Sequence, residues 1–137
     1  MEVVLAVVCD YANVSMEGKL NILGVFQELN PQVLPYSHPQ MYLVVSFEAG
    51  AAEVGQQKHF RIVLLDTDGN EILLMEGPAV VEAAARPGGR SYINQVVGLQ
   101  LTTFQRTGDH AFHILVNGEE KRTVPLYVNE PPQEGGG

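Results

Sequence analysis

Residues 107–128 read Thr107-Gly-Asp-His-Ala-Phe-His-Ile-Leu-Val-Asn-Gly-Glu-Glu-Lys-Arg-Thr-Val-Pro-Leu-Tyr-Val128. Two strand-like runs flank an Asn-Gly pair, which is the strongest short-range signal for a β-hairpin. A two-residue loop would set the apolar residues of the first run opposite polar positions of the second. Because burying a large apolar side chain is worth about 1.5–3 kcal/mol, we predict a bulged three-residue loop with Gly118 left-handed. The core face would then hold Phe112, Ile114, Val124 and Leu126.

Short runs of this kind recur along the whole chain, and no segment shows helical periodicity over a helix length. The predicted strands cover residues 3–9, 20–28, 41–48, 58–66, 71–82, 94–104, 110–116 and 122–128. Short strands with turn residues between them are typical of sandwiches and barrels. We therefore predict an all-β fold, a single antiparallel β-sandwich of the immunoglobulin-like or Greek-key type with about eight strands.

Three further segments refine this prediction. Asp66-Thr-Asp-Gly69 predicts a second bulged loop with Gly69 left-handed, after which Ile72 and Leu74 would share a face with Phe60, Ile62 and Leu64. The proline-containing connection 30–40 is too long for a hairpin and predicts a crossing between sheets. Pro125 cannot donate a ladder hydrogen bond, so its strand is predicted to be an edge strand or to contain a bulge.

Composition limits the organisation and the partners of the chain. Its 137 residues form one predicted domain, residues 1–128, followed by a Pro/Gly-rich tail, residues 129–137, expected to be disordered. The net charge of −8 and the scattered basic residues argue against nucleic acid and anionic membranes as partners. The run from Val3 to Cys9 lacks the flanks of a signal peptide and is predicted to be a buried strand. The lone cysteine indicates the cytoplasm.

Metal binding has one candidate set. Carboxylates and amides spaced in a tight loop can hold Ca²⁺, and such oxygens are supplied by Asp66, Asp68, Asn70 and, from another loop, Asp109. The same Asp-Gly pattern is also an ordinary turn, and the bidentate glutamate of an EF-hand is missing. The four histidines, at 38, 59, 110 and 113, have no metal-site spacing and are predicted to face solvent or the rim. No metal or other cofactor is expected.

Catalytic patterns are missing from the sequence. There is no nucleophile elbow and no phosphate-binding glycine loop, and Cys9 lies inside an apolar run as a core thiol. Asp10, Asn13 and Asn21 disfavour strands yet stand beside strand-like runs. They either cap the first hairpin through backbone hydrogen bonds or frame a small polar pocket or partner contact. Gly24 predicts a bulge or a close backbone approach.

The segment Cys9-Asp10, followed by Gly18-Lys-Leu-Asn-Ile-Leu-Gly-Val-Phe26, resembles the opening of a family of small bacterial proteins known only as a domain of unknown function. Further matches are His38-Pro39, Leu65-Asp-x-Asp-Gly69 and Gly108-Asp-x-x-Phe112-x-Ile-Leu-Val-Asn-Gly118. The resemblance covers all but the tail. It implies a stand-alone cytoplasmic β-sandwich, and it supplies no activity and no site residues.

Two functions follow as expectations. The first is a non-enzymatic protein-interaction or assembly module, which contacts an unknown protein or a second copy through an edge strand. Asp10, Asn13, Asn21 and Pro125 are its candidate contact residues. The second, of a different class, is a sandwich that binds a small ligand or Ca²⁺ through the loops near Asp66, Asp68 and Asp109.

Overall fold

The computed structural model describes residues 1–133. Within them the chain forms nine β-strands and one short 3-10 turn, Ala51–Glu53. The strands are β1 (Glu2–Val14), β2 (Leu20–Val25), β3 (Glu28–Leu29), β4 (Tyr36–Ala49), β5 (Gln57–Leu65), β6 (Glu71–Val80), β7 (Ser91–Phe104), β8 (Gly108–Val116) and β9 (Glu119–Val128). In these residues no helix is long and apolar enough to cross a membrane.

The strands form two sheets. Sheet A has the order β2-β1-β4-β7, and sheet B has the order β3-β9-β8-β5-β6. All pairings are antiparallel except that of β3 with β9, which is parallel. The predicted all-β, two-sheet sandwich is confirmed. The strand missing from the prediction is β3, whose two residues are too few to produce an alternating pattern.

The core lies between the inner faces of the two sheets. Sheet A contributes Met41, Leu43, Val45 and Phe47, every second residue of β4, and all four are fully buried. Sheet B contributes the alternating residues of β5, β8 and β9. The two layers meet at Phe47 and Phe60, whose ring centroids are 4.6 Å apart. Strand periodicity therefore builds one apolar layer from residues distant in sequence.

The β8–β9 hairpin confirms the predicted face and corrects the predicted loop. Phe112 and Ile114 share the buried face with Val124 and Leu126. The loop, however, has only two residues, Asn117 (φ 50°) and Gly118 (φ 80°), both left-handed. This geometry matches the twist of the flanking strands. The register changes further along, where Lys121 is bulged out between paired residues of β9.

The β5–β6 hairpin has the predicted three-residue loop with Gly69 left-handed (φ 82°). The predicted face of β6 is partly wrong. Ile72 is bulged out of the ladder, so Leu73 and Met75 oppose Leu64 and Ile62 on the core face. Leu74 pairs with Val63 on the outer face, and Ile72 still contacts the core from its bulged position. A bulge on the return strand thus sets the register in both hairpins.

The outer face of sheet A is covered by the chain itself. Beyond Cys9, β1 no longer pairs with β4, and its continuation forms a hairpin with β2. Ala12 of β1 and Leu20 and Ile22 of β2 pack around Cys9 and Val44 on the outer face. We call residues 10–25 the covering hairpin. Because of it, the central part of sheet A is buried on both faces.

The connection after β3 crosses from sheet B to sheet A, as predicted, but ends earlier because β4 begins at Tyr36. Asn129, assigned to the tail by the sequence, is bonded through its N–H to the carbonyl of Leu29 at 2.9 Å. Residues 129–133 have no helix or strand. The rest of the predicted disordered tail, 134–137, lies outside the described residues.

Candidate interaction edge

The predicted calcium loop uses its oxygen atoms within the protein. One carboxylate oxygen of Asp66 accepts the backbone N–H groups of Asp68 and Asn70 at 2.9 and 2.8 Å, and the other accepts the Asn70 amide at 3.1 Å. Burial works to raise the pKa of Asp66, but these hydrogen bonds and the charge of Arg106 outweigh it and lower the pKa. The loop has the bonding of an Asx turn.

The side chains of Arg106 and Thr67 make the remaining hydrogen bonds described for this loop. The Arg106 guanidinium donates to the carboxylate of Asp68, and Thr67 Oγ1 donates to the backbone carbonyl of Asp109 at 2.8 Å. A cationic side chain is therefore already placed at two of the carboxylates that calcium would need, those of Asp66 and Asp68. Among residues 1–133, no three His, Cys, Asp or Glu side chains are grouped so that they could hold a metal ion.

The candidate contact residues of the first hairpin are separated by the structure. Asn21 Nδ2 donates to Asn13 Oδ1 at 2.9 Å across the covering hairpin, so these amides bond each other and not the backbone. Asp10 lies elsewhere, against Gly24, which is left-handed (φ 70°). The close approach predicted at Gly24 is confirmed, since a Cβ there would lie 2.3 Å from Asp10 Oδ2.

Pro125 lies in a strand that is only partly an edge. β9 pairs with β3 through Tyr127 and Val128 alone, so its earlier residues have no strand on that side within the described chain. The Tyr127 N–H points to β3, where it donates to the Gln27 carbonyl at 2.8 Å. Two residues earlier, the nitrogen of Pro125 faces the same side, where no ladder bond is lost. The predicted edge position is confirmed for this part of β9.

The histidine prediction is wrong for His110. It alternates with Phe112 and Ile114, and so it points into the core, where it is 2% exposed and packs edge-on against Phe104. His113 points to the opposite face, as predicted, and contacts Glu120. Alternation alone could have placed His110 inside. Cys9 is fully buried, and burial raises the pKa of its thiol, in agreement with a core role.

The longest open edge in the structure is β7. Of its 14 residues, all but Leu101 pair with β4, and no strand in residues 1–133 pairs with its other side. The sequence Ser91-Tyr-Ile-Asn-Gln-Val-Val-Gly-Leu-Gln-Leu-Thr-Thr-Phe104 contains no charged residue and no proline. Proteins usually protect edges with charges, prolines or short length. β7 has none of these, and the left-handed Leu101 (φ 54°) interrupts it only near its end, after residues 91–100.

The other edges carry the protection that β7 lacks. β6 contains Glu71, Glu76 and Pro78, and the open part of β9 contains a run of four charged residues, 119–122, and Pro125. β3 has two residues. β2 has six, and the left-handed Gly24 interrupts their extended geometry. Among the described strands, only residues 91–100 of β7 thus form an edge without any of these protections.

Hydrogen-bond alternation identifies the free backbone groups of β7. The Val8 carbonyl accepts the Phe26 N–H at 3.0 Å, so the polar groups of Val8 face β2. Those of its β4 partner, Leu43, must then face β7, where Leu43 pairs with Val97. Val97 therefore bonds to β4. The residues before and after it direct their N–H and C=O groups to the open side.

Beside this edge the sandwich is incompletely closed. A cleft of about 170 Å³ separates β7 from β6, the edge strand of sheet B on the same side. Gln95 and Val97 line it from β7, Met75 lines it from β6, and Phe60 and Ile62 lie at its base. The loop 81–90 flanks the first residues of β7 and forms a separate groove there. The edge and the cleft together form a surface that an added strand would cover.

Comparison with known proteins identifies the family. Residues 4–129 match the model of a family described as "Family of unknown function (DUF6941)". The chain belongs to this family. The resemblance to an uncharacterised family inferred from the sequence motifs is therefore confirmed. No curated protein matches this DUF6941 member.

Solved structures are similar to this chain at a low level. One of them is Pseudomonas fluorescens alkylpurine DNA glycosylase AlkC bound to DNA containing an abasic site analog, with a TM-score of 0.43 and 16% sequence identity. The match covers 76% of the present chain and only 28% of the glycosylase chain. A likeness at this level carries no argument about fold or activity.

Proposed function

We propose that this DUF6941 member is a non-enzymatic assembly module that pairs with a second copy of itself through β7. The observation that carries the proposal is the 14-residue edge strand without charge or proline, in a chain whose other edges are protected. The unpaired N–H and C=O groups of β7 offer a template for main-chain pairing. Pairing of the two β7 strands would join the four-stranded sheet A of one copy to sheet A of the second copy as one continuous sheet.

A second copy suits this edge because antiparallel pairing of β7 with itself obeys a two-fold axis, the commonest symmetry of oligomers. The net charge of −8 would oppose association in general, but neither copy places a charge in the paired strands. The inward side chains of the added β7, including Val97, would lie over the cleft beside β6. The contact would thus add apolar burial to the main-chain hydrogen bonds.

The test introduces charges near the two ends of the strand. Antiparallel pairing brings the start of one β7 beside the end of the other, where Tyr92 and Gln100 are exposed and without side-chain hydrogen bonds within the described chain. We expect the wild type to sediment at about twice the 14.9 kDa of one chain. The double variants Tyr92→Lys/Gln100→Lys and Tyr92→Glu/Gln100→Glu should be monomers because like charges then oppose each other. An equimolar mixture of the two should recover the dimer.

A matched control makes the same residue changes away from β7. Tyr127→Lys/Gln57→Lys alters exposed side chains on β9 and β5 and should leave the dimer intact. Sedimentation equilibrium from low micromolar to near-millimolar concentration measures all four proteins. A wild type that stays monomeric throughout overturns the proposal, as does a mixture that fails to associate while the wild type does.

Three finer attributes belong to the same proposal: an immunoglobulin-like strand arrangement, a bacterial origin and a cytoplasmic location. The two-sheet architecture supports the first, and the single buried cysteine supports the last. The other candidate, a Ca²⁺ or small-ligand site at Asp66, Asp68 and Asp109, is disfavoured because backbone amides already occupy the carboxylate of Asp66 and Arg106 that of Asp68.

A further inference from the structure

We infer that a groove at one end of the sandwich binds the side chain of an arginine presented by a partner polypeptide. The groove has a volume of about 290 Å³, and none of its lining residues belongs to β7, the proposed assembly edge. Its walls bring together two carboxylates and three aromatic rings, and we call it the acidic groove. The side chains that carry the argument are Asp10, Phe26, Glu28, Tyr36 and His38.

Both carboxylates of the acidic groove are available. Asp10 and Glu28 are exposed, and neither has a cationic side chain within 4.0 Å in residues 1–133. The groove is lined by no lysine or arginine. Most of the other acidic side chains in residues 1–133, such as those of Glu53 and Asp68, already have cationic partners. A cation entering the groove would therefore meet two uncompensated negative charges.

The aromatic wall is held in place by its own contacts. His38 lies between the other two rings, with centroid distances of 5.8 Å to Phe26 and 5.7 Å to Tyr36. The Tyr36 hydroxyl is hydrogen-bonded to His38 Nδ1 at 2.7 Å, which fixes the imidazole plane. Burial lowers the pKa of His38, against the opposing effect of Asp10, so the ring is mainly neutral at neutral pH. A neutral ring does not repel a cation.

The position of Asp10 depends on Gly24. The left-handed glycine (φ 70°) lets the Asp10 carboxylate lie against the backbone of β2, in space that a Cβ would occupy. The carboxylate is thereby held at the groove with its oxygen atoms unbonded to other side chains of the described chain. Gly24 therefore leaves the space that the Asp10 carboxylate needs in order to line the groove.

Arginine fits these walls better than other cations. Its planar guanidinium can donate two parallel hydrogen bonds to a carboxylate and stack on aromatic faces, whereas a lysine ammonium is a compact, strongly hydrated charge. Cation–π contact with the aromatic wall adds to this binding. The flexible stem of the side chain would pack against the apolar floor, which includes Val25 and Leu29.

The test uses N-acetyl-arginine amide as the probe, followed by chemical-shift changes of backbone amides in a ¹⁵N-labelled protein. N-acetyl-citrulline amide has nearly the same shape without the charge and serves as the matched ligand. We expect saturable shifts for amides of residues 24–28 and 36–38 with the arginine probe, at a Kd in the millimolar range, and at least a tenfold weaker response to citrulline.

Substitutions locate the interaction. Asp10→Asn and Glu28→Gln should each weaken arginine binding several-fold, whereas Asp109→Asn, at an exposed aspartate outside the groove, should leave it unchanged. The amide spectra of the variants report whether each one is folded. Equal responses to arginine and citrulline, or an equal loss with Asp109→Asn, would overturn the inference. So would an absence of shifts in the wild type.

Discussion

Phe47→Ala is expected to lower the free energy of unfolding by about 3–5 kcal/mol, a large part of the stability of a domain of this size. Phe47 is fully buried in β4 and packs against Phe60 of β5, in the opposite sheet, with the ring planes tilted by 42°. The substitution removes apolar burial and leaves a cavity where the two sheets meet. Urea denaturation followed by circular dichroism gives the difference.

Tyr127→Ala is the control, because Tyr127 is an aromatic residue outside β7 that is 41% exposed and should cost little. A double-mutant cycle of Phe47→Leu with Phe60→Leu isolates the ring contact, whose coupling should be about 0.5–1.5 kcal/mol. A loss under about 1 kcal/mol for Phe47→Ala would mean that the sheets do not pack as described.

Glu53→Gln is expected to destabilise the domain at neutral pH by about 1.5–3 kcal/mol, the range for hydrogen bonds to a charged group. Glu53 accepts from the Met1 α-amino group at 2.7 Å, from the Gly50 N–H at 2.9 Å and from Lys58 at 3.1 Å. The bond from the α-amino group, followed by that from Gly50, lowers the pKa of Glu53 to about 2 from an ordinary 4.5.

The sign of the pH dependence follows from this lowered pKa. A carboxylate with a folded-state pKa below its unfolded value contributes stability that is present above the unfolded pKa and lost as the pH falls through the folded one. The difference between wild type and Glu53→Gln should therefore be constant from pH 4.5 up to neutral pH and shrink as the pH falls to about 2. Denaturation at several pH values tests this.

Glu17→Gln, at an exposed pair with Lys19, should show no such trend. A difference that does not change with pH would refute the assignment.

The sequence was sufficient for the fold class because the signals were local. Alternation from Phe112 to Leu126 predicts a buried face, and Gly69 after Asp68 predicts a left-handed loop residue, and both are found. The bulges at Ile72 and Lys121 were not predicted. These two bulges have no residue signature of their own. They bring the apolar faces of the paired strands into register, and a loop with a different number of residues could do the same.

The candidate edge could not be located from the sequence, because whether a strand lies at an edge depends on which other strands pair with it in the folded sheet. Pro125 marked β9 as an edge through its missing N–H, a local signal that proved correct for part of the strand. β7 carries no mark of that kind, and its open side depends on the order of strands in the sheet. The acidic groove likewise joins Asp10 to His38 across 28 positions, by a fold that local patterns do not specify.

The covering hairpin buries the only cysteine of the chain beneath a segment that can separate from the sheet by local opening. Cys9 is fully buried, and Ala12, Leu20 and Ile22 pack around it from the covering hairpin. A thiol reagent in solution can reach the sulfur only when this hairpin lifts or when the domain unfolds. The rate of thiol labelling, compared with the rate of global unfolding, therefore measures how often residues 10–25 separate from the sheet. The wild-type chain thus contains its own single-site probe of local opening.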